Sequence, residues 1–310
     1  MIRQFKHQDI TWIDVSVPTA EELNQLSRDY ELHSLVENEL SSPSPRSRLD
    51  SYEKYLYLIL HFPATNALDQ TLPAPHKVDT NEIDFIIGQK FLITIHYQPI
   101  QSLDEFSEIF ETTLTPDYAA KKAHAGYLFF HILIKLYQSL DKNLEILNSE
   151  LKKIEKNIFA GQEKAMVRVL ADLHHELLDF RWALKSHTDI LSQLEDDTTE
   201  FFGADFRFHP KLIRLAYNRV NTALGNLQEM YNDLRTTNDS LLTIKTNEIM
   251  KVLTIMAFIT FPLSVLTSTF GMNTVSTPIL GARHDFWIIV VIMLTAVTTM
   301  FGFFRYKRWI

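Results

Sequence analysis

The chain contains no cysteine, which excludes disulfides and thiolate metal sites. Glycine is scarce, with eight in 310 residues, and no phosphate-cradling glycine loop is present to hold a nucleotide. No pairing of a nucleophile with a base stands out, so an enzyme is not expected. The opening MIRQFKHQDITWIDV lacks the apolar core of a secretory signal, and the large body of the chain is therefore expected in the cytosol. Runs apolar enough to cross a membrane are absent from most of the length, and the two that exist lie near the end.

What is present divides into two unlike parts. Mean hydropathy is near neutral, which averages ordinary soluble material with a very apolar last segment. Net charge is −8. From Asn247 onward, Lys251, Arg283, Arg305, Lys307 and Arg308 stand against Glu248 and Asp285, a balance of +3 that leaves −11 on the preceding residues. An acidic body repels nucleic acid and concentrates cations, although solubility alone is an equal reading of the same charge. A chain of this length is expected to form more than one structural unit.

Residues 1–116 read as a mixed α/β domain. TWIDVSV is a short strand, and Thr19 with Glu22 has capping-box spacing for a helix through Tyr30. YLYLILHF (55–62) is an apolar strand, and NEIDFIIGQKFLITIHY is a hairpin turning at Gly88-Gln89-Lys90. Residues 117–200 read as a long antiparallel helical segment. Leu128, Ile132, Leu136, Leu140, Leu144 and Leu147 make one stripe. Gly161 separates this helix from a second one, expected from Gln162 to Leu194. EDDTTEFFGADFRFHP is expected to be a break. A stalk helix follows over 208–248, with Leu212, Leu215, Leu224, Leu227, Tyr231, Leu234, Leu241 and Ile244 as its stripe. From Lys211 to Phe270 such a helix would be roughly 90 Å long, about three times what the hydrocarbon of a bilayer requires.

Residues 249–270 and 286–304 each have the length of a membrane span. Two spans put both termini on one side, and Lys245, Lys251, Arg305, Lys307 and Arg308 mark that side as the cytoplasm. The loop 271–285 then faces outward, and 305–310 is a basic cytosolic tail. The second span is almost wholly apolar. In the first, Asn247, Met250, Thr254, Ala257, Phe261, Ser264 and Ser268 recur at helical spacing on one face. A polar and small stripe on a membrane helix either packs on another helix or lines water. Lining water requires several copies, because two spans cannot enclose a path.

Gly271-Met272-Asn273 directly after the first span, TNEIMKVLTI at its entrance, Pro262 inside it and the tail FRYKRWI together closely resemble the CorA family of divalent cation channels. The resemblance is most specific over 245–273. It implies an α+β (α/β/α) cytosolic domain followed by stalk helices and two C-terminal spans, assembled as a funnel-shaped homopentamer. It also implies that Gly271, Met272 and Asn273 form the outer mouth. There Asn273 meets a hydrated ion through its amide oxygen, and Asn247, Met250, Leu253, Ala257, Phe261, Ser264 and Ser268 line the pore. The implied partners are other copies of the chain, membrane lipid and divalent cations, and no cofactor is needed. The transported ion is expected to be Mg2+, with Co2+ or Ni2+ as surrogates. A Zn2+ transporter of the same superfamily, proton-coupled in one version, is an alternative, and a non-conducting membrane-anchored helical scaffold is another. The chain is placed in the cell inner membrane.

Two departures from the family pattern stand out. Where relatives carry an acid in a Met-Pro-Glu-Leu run, this loop has Thr277-Pro278-Ile279-Leu280. Phe206 to Met230, where relatives bind regulatory magnesium, holds a single acid, Glu229. Asp79, Glu82 and Asp84 are substitute candidates for a regulatory metal, weighed against simple solvation beside the hairpin. In LHHELLDF, His175 and Asp179 could share a metal, but the order is not His-Glu-x-x-His, and a solvated helix face is the preferred reading.

Overall fold

The structure, a computed structural model, describes residues 1–64, 80–112, 124–272, 279, 281, 283–307 and 309. The chain divides into Met1–Arg235 and Thr236–Ile310, and the division falls inside one continuous helix.

The first unit is built on a six-stranded sheet: β1 (Ile2–His7), β2 (Ile10–Ser16), β3 (Arg48–Ser51), β4 (Tyr55–Pro63), β5 (Thr80–Gly88) and β6 (Phe91–His96), in spatial order β1-β2-β6-β5-β4-β3. Only β2 and β6 run parallel; the other neighbours are antiparallel. The β5–β6 hairpin turns where expected. Glycine suits position 88, because a Cβ there would lie 2.3 Å from the Phe91 ring and force it to move. The short β1 and β3 edges and the helix α2 (Ser34–Glu39) carried too few residues to register as periodic in the sequence.

Helices cover both faces of this sheet. On one, α1 (Ala20–Asp29) and α2 place Leu23, Leu26, Val36 and Leu40 on Ile13, Val15, Tyr57, Ile59, Ile86, Ile93 and Ile95. The expected capping box opens α1, with Thr19 Oγ1 accepting from Glu22 N–H and Glu22 accepting from Thr19 N–H. On the other face, Trp12 meets Phe106 and Phe110 of α3 (Gln101–Thr112) edge to face. Phe85 meets Phe129 of α4 (Ala125–Phe159) in the same way. The result is an α/β/α layering in which β4, covered on both sides, carries apolar or aromatic side chains at every position but His61.

The α4 stripe from Leu128 to Leu147 is buried as the period predicts. Downstream the structure departs from the sequence reading. The single helix expected to Leu194 is two, α5 (Glu163–Leu184) and α6 (His187–Phe202). The joint is fixed by His187, whose ring is wholly buried. It is hydrogen-bonded to Tyr137 Oη at 2.9 Å and, through Nε2, to the His61 carbonyl at 2.9 Å. Because that carbonyl can only accept, Nε2 carries the proton and Nδ1 accepts from the tyrosine. The expected break at 195–210 is instead largely helix. It ends only at Gly203, where φ is +93°, and its aromatics pack. Phe202 stacks on His124 at 4.3 Å and Phe206 on His209 at 4.8 Å.

The helix α7 runs from Phe208 to Phe270, 63 residues. Its packed side in the first unit is Ile213, Tyr217, Val220, Leu224, Leu227, Tyr231 and Leu234, while Leu215, assigned to the stripe from sequence, is 64% exposed. Tyr217 sets this rotation, since its hydroxyl is bonded to Thr188 Oγ1 at 2.8 Å. The second unit comprises the rest of α7 and α8 (Asp285–Tyr306). Phe258 of α7 contacts Phe304 of α8, against which Trp309 stacks.

Candidate functional site

Two helices of the chain, α7 and α8, are long and apolar enough to cross a membrane. In α7 the buried Ile255 and the partly covered Ile259, Pro262, Leu263, Leu266 and Phe270 fall on one side. At about 100° per residue, Asn247, Met250, Leu253, Ala257, Phe261, Ser264 and Ser268 occupy the opposite arc. All seven are exposed, Phe261 to 72%. Of the stripe read from sequence, Thr254 is partly covered and the other six residues are exposed.

The hydroxyls on α7 have a common geometry. Thr254 donates to Met250 O at 2.7 Å, Thr260 to Met256 O at 2.9 Å, Ser264 to Thr260 O at 3.0 Å, and Thr269 to Val265 O at 2.8 Å. Each proton is committed to the helix, so each oxygen presents only lone pairs outward. Pro262 lies within α7, where it has no N–H for the carbonyl four residues earlier, and the membrane helix continues through it.

Past Phe270, the Gly271 N–H donates to Thr267 O at 2.9 Å and the Met272 N–H reaches Thr269 O at 3.4 Å. A Cβ on Gly271 would sit 3.1 Å from the Thr267 carbonyl oxygen, a contact that disfavours any larger residue at this turn. Met272 is exposed. Asn273, the third member of the triplet, lies outside the described residues, as does Asp79. Across the loop, Asp285 accepts from Gly281 N–H at 3.2 Å and Phe286 N–H at 2.7 Å. The single acid of that loop is therefore engaged at the start of α8, a role its sequence position alone did not disclose.

Of the acids considered for regulation, Glu82 and Asp84 are not solvated. Glu82 and Asp84 lie two residues apart on β5 and so on the same sheet face, and both are buried. Glu82 accepts from Ser44 N–H with both oxygens, at 2.9 and 2.7 Å, and stands 3.4 Å from His61 Nε2. Asp84 has Tyr97 Oη at 3.4 Å on one oxygen and no donor on the other, and its carboxyl lies within hydrogen-bonding reach of the Glu82 carboxyl. Burial, and next the neighbouring Glu82 charge, hold its carboxyl well above the usual aspartate range. Among the described residues no group of three or more His, Asp or Glu side chains is arranged to hold a metal ion. On α5, His174, the neighbour of the His175 weighed from sequence, stacks on Tyr231 at 4.9 Å.

The sequence profile of the family described as CorA-like Mg2+ transporter protein matches residues 7–308. The cobalt/magnesium transport protein CorA of Thermotoga maritima is 22% identical, covering 99% of this chain and 89% of its own length. That of Methanocaldococcus jannaschii is 23% identical over 99% and 93%. The complete structure of the CorA magnesium transporter from M. jannaschii superimposes with a TM-score of 0.81 at 22% identity, over 99% of this chain and 93% of that one. The shared arrangement is an N-terminal α/β body, long helices and two C-terminal apolar helices.

Proposed function

The chain belongs to the CorA-like Mg2+ transporter family, and from that premise we propose that it is a homopentameric channel passing hydrated divalent cations, magnesium foremost. The observation that carries this reading is the open face of α7. Its seven stripe residues, from Asn247 to Ser268, are exposed on the side away from the covered residues. A single chain cannot enclose water with two spans. Copies arranged around an axis turn these faces toward one another and make a conduit.

In that arrangement α7 lines the path, α8 meets lipid, and both termini lie in the cytoplasm of an inner-membrane protein. Magnesium dehydrates reluctantly, so a ring of Asn273 amide oxygens recognises the ion by hydrogen-bonding to its coordinated water. A neutral ring also releases the ion more readily than a carboxylate ring would. Ser264 and Ser268 extend the same acceptor surface inward. Met250, Leu253 and Phe261 supply apolar collars that close by dewetting. Inward movement of a divalent ion is driven by about 4.6 kcal/mol per 100 mV. Cobalt, named with magnesium for the relatives, is expected to pass as a surrogate.

The test is Mg2+ entry into liposomes holding the purified protein, followed with an ion-sensitive dye. Asn273→Ala removes hydrogen bonds worth roughly 1.5–3 kcal/mol each to a charged group, and entry should fall about ten- to a hundredfold with assembly intact. Unchanged entry would exclude the amide ring. Entry of Zn2+ in place of Mg2+, dependent on a pH gradient, would reassign the ion.

A further inference from the structure

Asp84 is an ionisable side chain in a place where its charge has no partner. It is 0% exposed. Every element packed around it brings groups that are already engaged or acidic. From α2 comes Glu39, bonded to Arg48 of β3. From β3 come Arg48 and Asp50, paired with each other at 2.9 Å, with the guanidinium 5.7 Å from the centre of the Tyr57 ring. From β4 come Tyr57, whose buried hydroxyl has no partner, and His61, bonded to Ser47 Oγ and the Ser44 carbonyl. From β5 comes Glu82, and after β6 comes Tyr97, which also donates to Leu40 O at 3.0 Å. Among the described residues no cation forms an ion pair with Asp84, and a second carboxyl stands on the same face two residues away.

We propose that Asp84 is a buried proton-binding site, held as a neutral carboxylic acid beside Glu82, and that its ionisation loosens the packing of α2 and β3 over β4–β5. A lone buried carboxylate without a cation is strongly unfavourable, whereas the neutral acid has a proton to donate. Tyr57 and Tyr97 fit this state: burial above all pushes both phenols up, so they stay neutral hydroxyls beside the acid.

The folded-state value is raised, so the unfolded chain loses this proton near the ordinary 3.8 while the folded chain keeps it. Stability from this residue is therefore greatest below that value and declines as pH rises toward the folded value. Asp84→Asn, an isostere of the neutral acid, removes the decline. In thermal unfolding of the full-length protein in detergent, the variant should gain on wild type by about 5 °C between about pH 5 and about pH 8.5. Its α2 and β3 amides should lose the faster hydrogen exchange that wild type shows at the higher pH. The infrared carbonyl band of a protonated carboxylic acid should be present in wild type at neutral pH and weaker in the variant. Equal pH profiles, an unchanged band, or a variant less stable at every pH would overturn the proposal. So would Mg2+ stabilisation that Asp84→Asn abolishes, which would make the site a metal ligand. None of these readouts depends on ion flux.

Discussion

Strand β4 and helix α8 are both built largely from apolar side chains, and they meet opposite fates. From Tyr55 to Phe62 every β4 residue but His61 is buried. Of the 22 residues in α8 only Phe304 is buried. Composition is similar, and what differs is whether the chain itself supplies a covering layer. Helices close over both faces of the sheet, so β4 is satisfied internally. At about 25 cal/mol per Å2 of apolar surface, leaving α8 and the open side of α7 in water would cost more than a domain's whole stability. Both helices are long and apolar enough to cross a membrane, and the proposed channel would cover them with lipid and with further copies of the chain. Apolar content alone therefore does not separate core from span; length without interruption and the absence of alternation do.

The sharpest way to break this comparison is to cut a side chain from each region. Phe85→Ala removes a fully buried ring packed edge to face on Phe129 at 5.3 Å. It should destabilise the α/β unit by about 3–5 kcal/mol in denaturant or thermal unfolding. A smaller, pH-selective effect is expected at His187. Burial lowers its pKa to about 3, below the ordinary 6.5, so the unfolded chain takes up a proton that the folded chain refuses. Stability is full above about 6.5 and falls as pH drops toward 3. Acid unfolding of His187→Gln should show a shallower loss across that window than wild type, whatever its absolute stability. The smallest effect is expected for Val291→Ala on α8, exposed to 59%. In detergent or lipid it should stay within about 0.5 kcal/mol of wild type, as surface changes generally do. A cost approaching that of Phe85→Ala would mean that α8 packs against protein and not lipid.

The two regions also differ in how far they could be read in advance. The hairpin at Gly88, the α4 stripe and both apolar spans follow from local patterns of period two, period 3.6 or simple length. The exposed arc of α7 from Asn247 to Ser268 was legible for the same reason. Leu215 was not, because the stalk offers two apolar arcs, and the hydroxyl bond from Tyr217 to Thr188 selects one of them. The joint at Lys185–Ser186 was hidden too, since it depends on His187 meeting a carbonyl 126 positions earlier. The aromatics near Gly203 resembled a loop in sequence and are a packed cluster because His124 and Tyr127 arrive from α4 to meet them. Asp285 gave no local sign that its carboxylate closes the turn at Gly281.

By itself the sequence determined that two uninterrupted apolar helices lie near the end of the chain, that one bears a polar stripe and that the triplet Gly271-Met272-Asn273 follows it. Those properties are set by neighbours within a few residues, through helical period and hydropathy. Only the tertiary structure decided that Glu82 and Asp84 are buried and not solvated, that His187 splits a helix, and which arc of α7 is covered. Burial and charge state depend on what residues distant in sequence bring to the same place, and no local pattern encodes that meeting.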